Sequence, residues 1–122
     1  MSVARGREAE DAALARLLAA GLSLVARNHR CRMGEIDLVM TDGPVLVFVE
    51  VRARARTRFA SAEESVGPAK QARLTAAARH FIAGRPDLAG RPMRFDVVAI
   101  SGDGKDNEPR WIRAAFDAAG PA

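Results

Sequence analysis

The sequence predicts a mixed α/β fold, a central sheet flanked by helices, in the order helix, three strands, helix, two strands. Three observations predict it. Apolar residues recur at helical spacing in two stretches, residues 6–20 and 68–83. Glu35–Met40, Val45–Ala53 and Phe95–Ile100 are short runs rich in β-branched and apolar residues, too short for helices of their own. Turn-forming residues, Asp42-Gly43 above all, punctuate those runs.

Each element has its own signal. In the first helix Ala9, Ala13, Leu14, Leu17 and Leu18 share a face, and Gly21 supplies the stop. Leu22–Asn28 reads as the first strand. Asp42-Gly43 is the hairpin signal between the next two strands, although Pro44 disturbs the ideal two-residue turn. Residues 54–66 read as a polar loop. Pro68 opens the second helix, where its missing N–H costs nothing, and Leu74, Ala77, Ala78, Phe81 and Ile82 give it an apolar face up to Ala83. Residues 84–92 are a Gly- and Pro-rich loop, Phe95–Ile100 is a buried strand, residues 101–109 form a turn or loop, and Trp111–Phe116 is the last strand.

Length bounds the organisation. The chain has 122 residues, 48% of them hydrophobic, which suits one domain with its core at about residues 6–116. It contains no long apolar run that would span a membrane, and the charged N-terminus lacks a signal-peptide pattern. Cys31 is the single cysteine and forms no internal disulfide, so a cytoplasmic location is expected. His29 and His80 are far apart in sequence, and no Cys/His zinc pattern is present, so no histidine metal site is expected.

The net charge of +4 and pI near 10.5 favour polyanionic partners. Of the 19 basic residues all but Lys70 and Lys105 are arginine. Arg27, Arg30 and Arg32 crowd one connection, and Arg52, Arg54, Arg56 and Arg58 form a second cluster. These flanking arginines are the candidate phosphate contacts. A basic surface serves solubility equally well, and charge on an edge strand protects it from aggregation.

The chemistry concentrates in GEIDLVMTDGPVLVFVEVRAR, residues 34–54. Asp37 and Glu50 interrupt strongly apolar strands, where Asp is disfavoured. A turn centred on Asp42-Gly43 sets Asp37 opposite Phe48 and Glu35 opposite Glu50, making Asp37 and Glu50 diagonal neighbours on one face, with Arg52 next along. Ile36, Leu38, Val47, Val49 and Val51 then supply the core from the other face. Glu10 and Lys70 share the apolar faces of their helices near the helix starts, where charged groups seek a partner. Such a cluster can hold Mg²⁺ or Mn²⁺ through Asp37, Glu50 and the Val51 carbonyl, with Glu10 holding a second ion or orienting water and Arg52 and Lys70 stabilising phosphate charge.

Blander readings stand beside this one. Glu10 can complement the helix dipole, Glu35 can be a solvated strand end, Lys70 can cover apolar neighbours with its stem, and Arg52 can pair with Asp37 or Glu50 as a structural ion pair.

The pattern of GREAEDAALARLLAAGLSLVARNHR, GEIDLV, LVFVEVRAR, a helix from near Lys70 and RFDVVAI resembles the bacterial YraN-type family of uncharacterised proteins, from about Gly6 to Phe116. That family is related to the Holliday-junction resolvases of the restriction-endonuclease-like superfamily. The resemblance implies a restriction-endonuclease-like core and a D…ExK-type signature. Asp37 and Glu50 match its acidic positions, and Glu10 matches the glutamate of the first helix. Arg52 stands where the superfamily usually has lysine, a departure that matters because Arg offers a fixed charge and a planar fork rather than a compact ammonium. The implied activity is divalent-metal-dependent phosphodiester hydrolysis on structured DNA, with a two-fold dimer for paired incisions. A non-catalytic nucleic-acid-binding module and a protein-interaction domain are the alternatives.

Overall fold

A computed structural model of the chain describes residues 3–54, 66–101 and 109–116. Among these, α1 (Val3–Ala19) precedes β1 (Ser23–Cys31), β2 (Gly34–Asp42) and β3 (Val45–Arg54); α2 (Pro68–Ala83) leads, through a 3-10 turn at Pro86–Leu88, to β4 (Met93–Ser101) and β5 (Arg110–Phe116). The five strands form one sheet in the order β1-β2-β3-β4-β5. All neighbours are antiparallel except β3 and β4, whose parallel pairing needs a crossover, and α2 lies in that crossover.

The helix ends follow the sequence signals. Beyond α1 the Leu22 N–H bonds to the Leu17 carbonyl and the Gly21 N–H to that of Leu18, with Gly21 left-handed at φ +100°, a Schellman motif. Pro68 opens α2, and the Gly84 N–H bonds back to the Phe81 carbonyl beyond its end.

The sheet buries both faces. On the α2 side Phe48, Phe95, Leu46 and Val97 meet Leu74, Ala77, Ala78 and Phe81; on the α1 side Leu38, Met40, Val47, Val49 and Val98 meet Ala13 and Leu17. No helix among the described residues is long and apolar enough to cross a membrane.

The structure corrects several sequence expectations. β1 runs on through Cys31, so Arg27 and Arg30 lie on a strand, and only Arg32 lies in the connection to β2. β1 is an edge strand whose residues are exposed or half-buried, so its end carries little apolar signal. β3, by contrast, is the middle strand, and Arg52 and Arg54 pair with Ala99 and Ser101 of β4, so this run does not begin on an edge.

The hairpin turn also moves. It is Gly43-Pro44, with Asp42 facing Val45, rather than Asp42-Gly43. Gly43 has φ +60°, as the first central position of a type II′ turn requires, and Pro44 fits the second with its fixed negative φ. Phe48 therefore faces Val39 and not Asp37, and the predicted pairing of Glu35 with Glu50 does not form. The slip is two residues, so the faces are kept. A Cβ on Gly43 meets nothing within 4 Å, leaving the backbone as the whole penalty. Gly43→Ala is expected to cost about 1–2 kcal/mol, read as a lower urea midpoint at unchanged slope.

Candidate metal centre where β2 leaves β3

β2 and β3 pair only as far as Leu38 and Val49, whereas β3 continues against β4 to Arg54 and Ser101. The site lies at this split. Asp37 sits between the β1 pairings Arg27–Leu38 and His29–Ile36, opposite Asn28, which is left-handed at φ +55°. Side-chain alternation breaks here. Ile36 packs on the α2 side with Val39, while Leu38 packs on the α1 side. Ile36 is thus a correction to the predicted core face, whereas Leu38, Val47, Val49 and Val51 keep it. Released from alternation, the Asp37 carboxylate replaces a strand partner: the Val51 N–H donates to its Oδ2 at 2.8 Å.

Two further carboxylates crowd Asp37. Burial first, then the negative charge of Glu50, with a smaller contribution from Glu10, raise the Asp37 pKa to about 7; the Val51 N–H opposes the rise. Glu50 is 6% exposed and accepts from Arg52 Nη1 at 3.2 Å, with Lys70 Nζ at 3.4 Å. Lys70 reaches it from the first turn of α2. Glu10, on α1, accepts from Arg27 Nη2 at 3.3 Å, and the same nitrogen donates to Asp11 at 2.8 Å.

Glu10, Asp37, Glu50, Arg52 and Lys70, scattered over 61 positions of sequence, thus converge from α1, β2, β3 and α2. Asp37 lies beside Glu50, with Glu10 near enough for its charge to act on Asp37, and burial first, then these neighbours, favours the neutral Asp37 carboxyl. The donors are all oxygen, which fits Mg²⁺ or Mn²⁺. Lys70 and Arg52 add cationic groups at its margin, where an anionic oxygen would sit.

The arginines separate into kinds. Arg27 is committed to Glu10 and Asp11. Arg30 pairs with Glu35 in solvent, and Glu35 is the solvated strand end expected of it. Arg32 is exposed in the β1–β2 turn, and Arg54 ends β3. Arg56 and Arg58 lie outside the described residues. GEIDLV opens on glycine because β2 starts against α2: a Cβ at Gly34 would stand 3.2 Å from the Arg73 carbonyl oxygen.

Two groupings escaped the sequence reading. Asp96, fully buried, accepts from Arg94 Nε and Nη2 at 2.9 and 3.0 Å, from Trp111 Nε1 at 2.9 Å and from the Ala114 N–H at 3.0 Å. Arg94 also reaches Asp42 at 3.1 Å. The signal was an acid inside the apolar run RFDVVAI. The second grouping is His29, Cys31 and His80, whose ligand atoms lie within 4.8 Å of one another, against the expectation that the histidines stand apart. No spacing rule shows this, because the contact joins an edge strand to the end of α2.

Comparison with known proteins gives one consistent result. The family described as "Uncharacterised protein family UPF0102" matches residues 9–100. A UPF0102 protein of Nitrosomonas europaea is 49% identical over 114 residues, covering 93% of each chain. Another, of Pseudomonas entomophila, is 49% identical with 92% of each chain covered. A third, of Ralstonia nicotianae, is 55% identical over 119 residues, covering 94% of this chain and 88% of its own.

Proposed function

The chain belongs to the uncharacterised protein family UPF0102, and from its carboxylate cluster we propose that it is a divalent-metal-dependent phosphodiesterase of restriction-endonuclease-like architecture acting on structured DNA. The observation that carries the reading is the Asp37 carboxylate, held by the Val51 N–H at 2.8 Å beside buried Glu50, which Arg52 and Lys70 reach at 3.2 and 3.4 Å. Burial and a neighbouring carboxylate, rather than a cationic partner, set the upward direction of the Asp37 pKa. The five-stranded mixed sheet with a helix on each face supports the architecture.

Asp37 and Glu50 would hold Mg²⁺ or Mn²⁺, with the Val51 carbonyl as a third donor and Glu10 beside them. Bound there, the ion would supply charge neutralisation at the phosphate and acidify attacking water. The protein's own groups do the rest. Asp37 would hold the ion as a carboxylate, its proton released to solvent, and the Val51 N–H keeps that carboxylate aimed. Lys70 and Arg52 exchange their contact with Glu50 for the phosphoryl oxygens, whose charge grows in the transition state. Arg30, Arg32, Arg54, Arg56 and Arg58 grip backbone phosphates, giving salt-sensitive binding with little sequence preference. A two-fold dimer would pair the incisions at a four-way junction.

A second reading has its own observation. Arg52 occupies the usual lysine position and, with Lys70, already neutralises Glu50, which suits a binding module that keeps the fold without hydrolysis. A cleavage screen over duplex, single-stranded, flap and four-way DNA with Mn²⁺ or Mg²⁺ decides between them. We expect cutting of a branched substrate by the wild type and none by Glu50→Ala. Binding in EDTA with no cutting in any metal selects the binding module, and no affinity at low salt leaves a protein-interaction domain. Lys70→Met is expected to lower kcat/KM about 10²-fold while changing DNA affinity far less, measured by single-turnover kinetics beside equilibrium binding.

A further inference from the structure

We propose that His29, Cys31 and His80 form a second, separate metal site that takes a borderline-soft divalent ion of the zinc class and fastens the end of α2 to β1. His29 and Cys31 are two residues apart on β1, and His80 comes from the last turn of α2. His29 Nε2 and His80 Nδ1 are 3.1 Å apart, and the Cys31 sulfur completes a set within 4.8 Å. Zinc–nitrogen bonds of ~2.0–2.1 Å in tetrahedral geometry place two ligand nitrogens about 3.3 Å apart, so the imidazoles need almost no movement.

The chemistry of the donors selects the ion. Two imidazoles and a thiolate favour zinc over the hard cations suited to the carboxylate cluster. A hydrogen bond between the imidazoles accounts for their approach but leaves the third donor unexplained. Cys31 now donates to the Gly34 carbonyl at 3.4 Å, and S–H is a weak donor that coordination readily replaces. The edge of the His29 ring rests on Phe81, with centroids 5.1 Å apart, which holds its orientation. Three protein ligands at a partly open surface leave the fourth position to water. Binding balances by release of one proton, from the Cys31 thiol. Both imidazoles bind neutral, each keeping its proton on the ring nitrogen away from the metal.

Cobalt(II) titrated alone into the full chain tests this. We expect one Co²⁺ per chain with a sulfur-to-cobalt charge-transfer band and intense tetrahedral ligand-field bands, all displaced by Zn²⁺. Cys31→Ser should remove the charge-transfer band. His80→Ala, at an exposed position, should weaken Co²⁺ binding at least about tenfold with unchanged circular dichroism, and His80→Gln should behave alike. Asp37→Asn should leave the spectrum intact, which separates this site from the carboxylate cluster. Absence of a charge-transfer band at stoichiometric Co²⁺, its persistence in Cys31→Ser, or unweakened binding in both His80 variants would overturn the proposal.

Discussion

Asp37→Asn is expected to remove metal-dependent cleavage and, in the metal-free protein, to raise stability above neutral pH. Asn keeps a carbonyl oxygen for the Val51 N–H, so the local hydrogen bond survives the change. It lacks the anionic oxygens that would hold the cation, and the loss of several kcal/mol of transition-state stabilisation corresponds to a rate fall of ~10³-fold or more. The stability effect follows from the raised pKa. Between its ordinary value of 3.8 and about 7 the folded protein binds more protons at Asp37 than the unfolded chain does. Wild-type stability therefore declines as pH rises through that window, and the penalty is complete above about 7. Its size is on the order of a few kcal/mol, and the Asn variant escapes it. Thermal unfolding at about pH 5 and about pH 8 should show the variant's advantage widening at the higher pH. Added Mn²⁺ should raise the wild-type midpoint and leave the variant's unchanged. A variant that is no more stable at high pH, or that still cuts, would count against the anionic-crowding account.

Asp96→Ala carries the largest expected cost to the fold. Four donors meet at this fully buried carboxylate, and removing it takes the acceptor from the half-buried Trp111 N–H, the Ala114 N–H and most of the Arg94 guanidinium. Arg94 keeps Asp42, at 3.1 Å, among the described residues. Breaking a buried charge pair from one side costs about 3–5 kcal/mol, a large share of the 5–15 kcal/mol typical of a domain. The loss should fall on the β4–β5 pairing. Ala114 is left-handed at φ +49°, and its N–H reaches across to Asp96 where the register shifts between Phe95 and Val97. Urea unfolding gives the cost directly, and Asp96→Asn, which keeps acceptor and donor capacity, should lie between wild type and Ala. A difference below about 1 kcal/mol for Asp96→Ala would show that water replaces the network at little cost.

Much of the scaffold was legible because its signals are local. Pro68 and Gly84 bracket α2, Gly21 ends α1 with a left-handed residue, and the apolar runs of β3 and β4 belong to strands buried on both faces. The register of the β2–β3 hairpin was less legible, since Asp-Gly is a strong turn signal and only Pro44 warned that the turn lay one residue on. The meeting of Asp37 with Glu50 survived because the slip was even, but its cause differs from the one expected. The two do not sit diagonally on a regular ladder; a break in alternation at Asp37 swings its carboxylate to the end of the β3 ladder. The break lies opposite the left-handed Asn28 of the neighbouring strand, which no single-strand pattern reveals. His29 and His80 were likewise opaque. They are 51 residues apart, and only the packing of α2 on β1 joins them.

Anomalous diffraction from crystals soaked in Mn²⁺ at about pH 8 tests the central claim most directly. The account predicts a manganese peak bonded at about 2.1–2.2 Å to carboxylate oxygens of both Asp37 and Glu50, with Lys70 and Arg52 drawn off Glu50. No peak there, with Glu50 still clasped by Arg52 and Lys70, would contradict it.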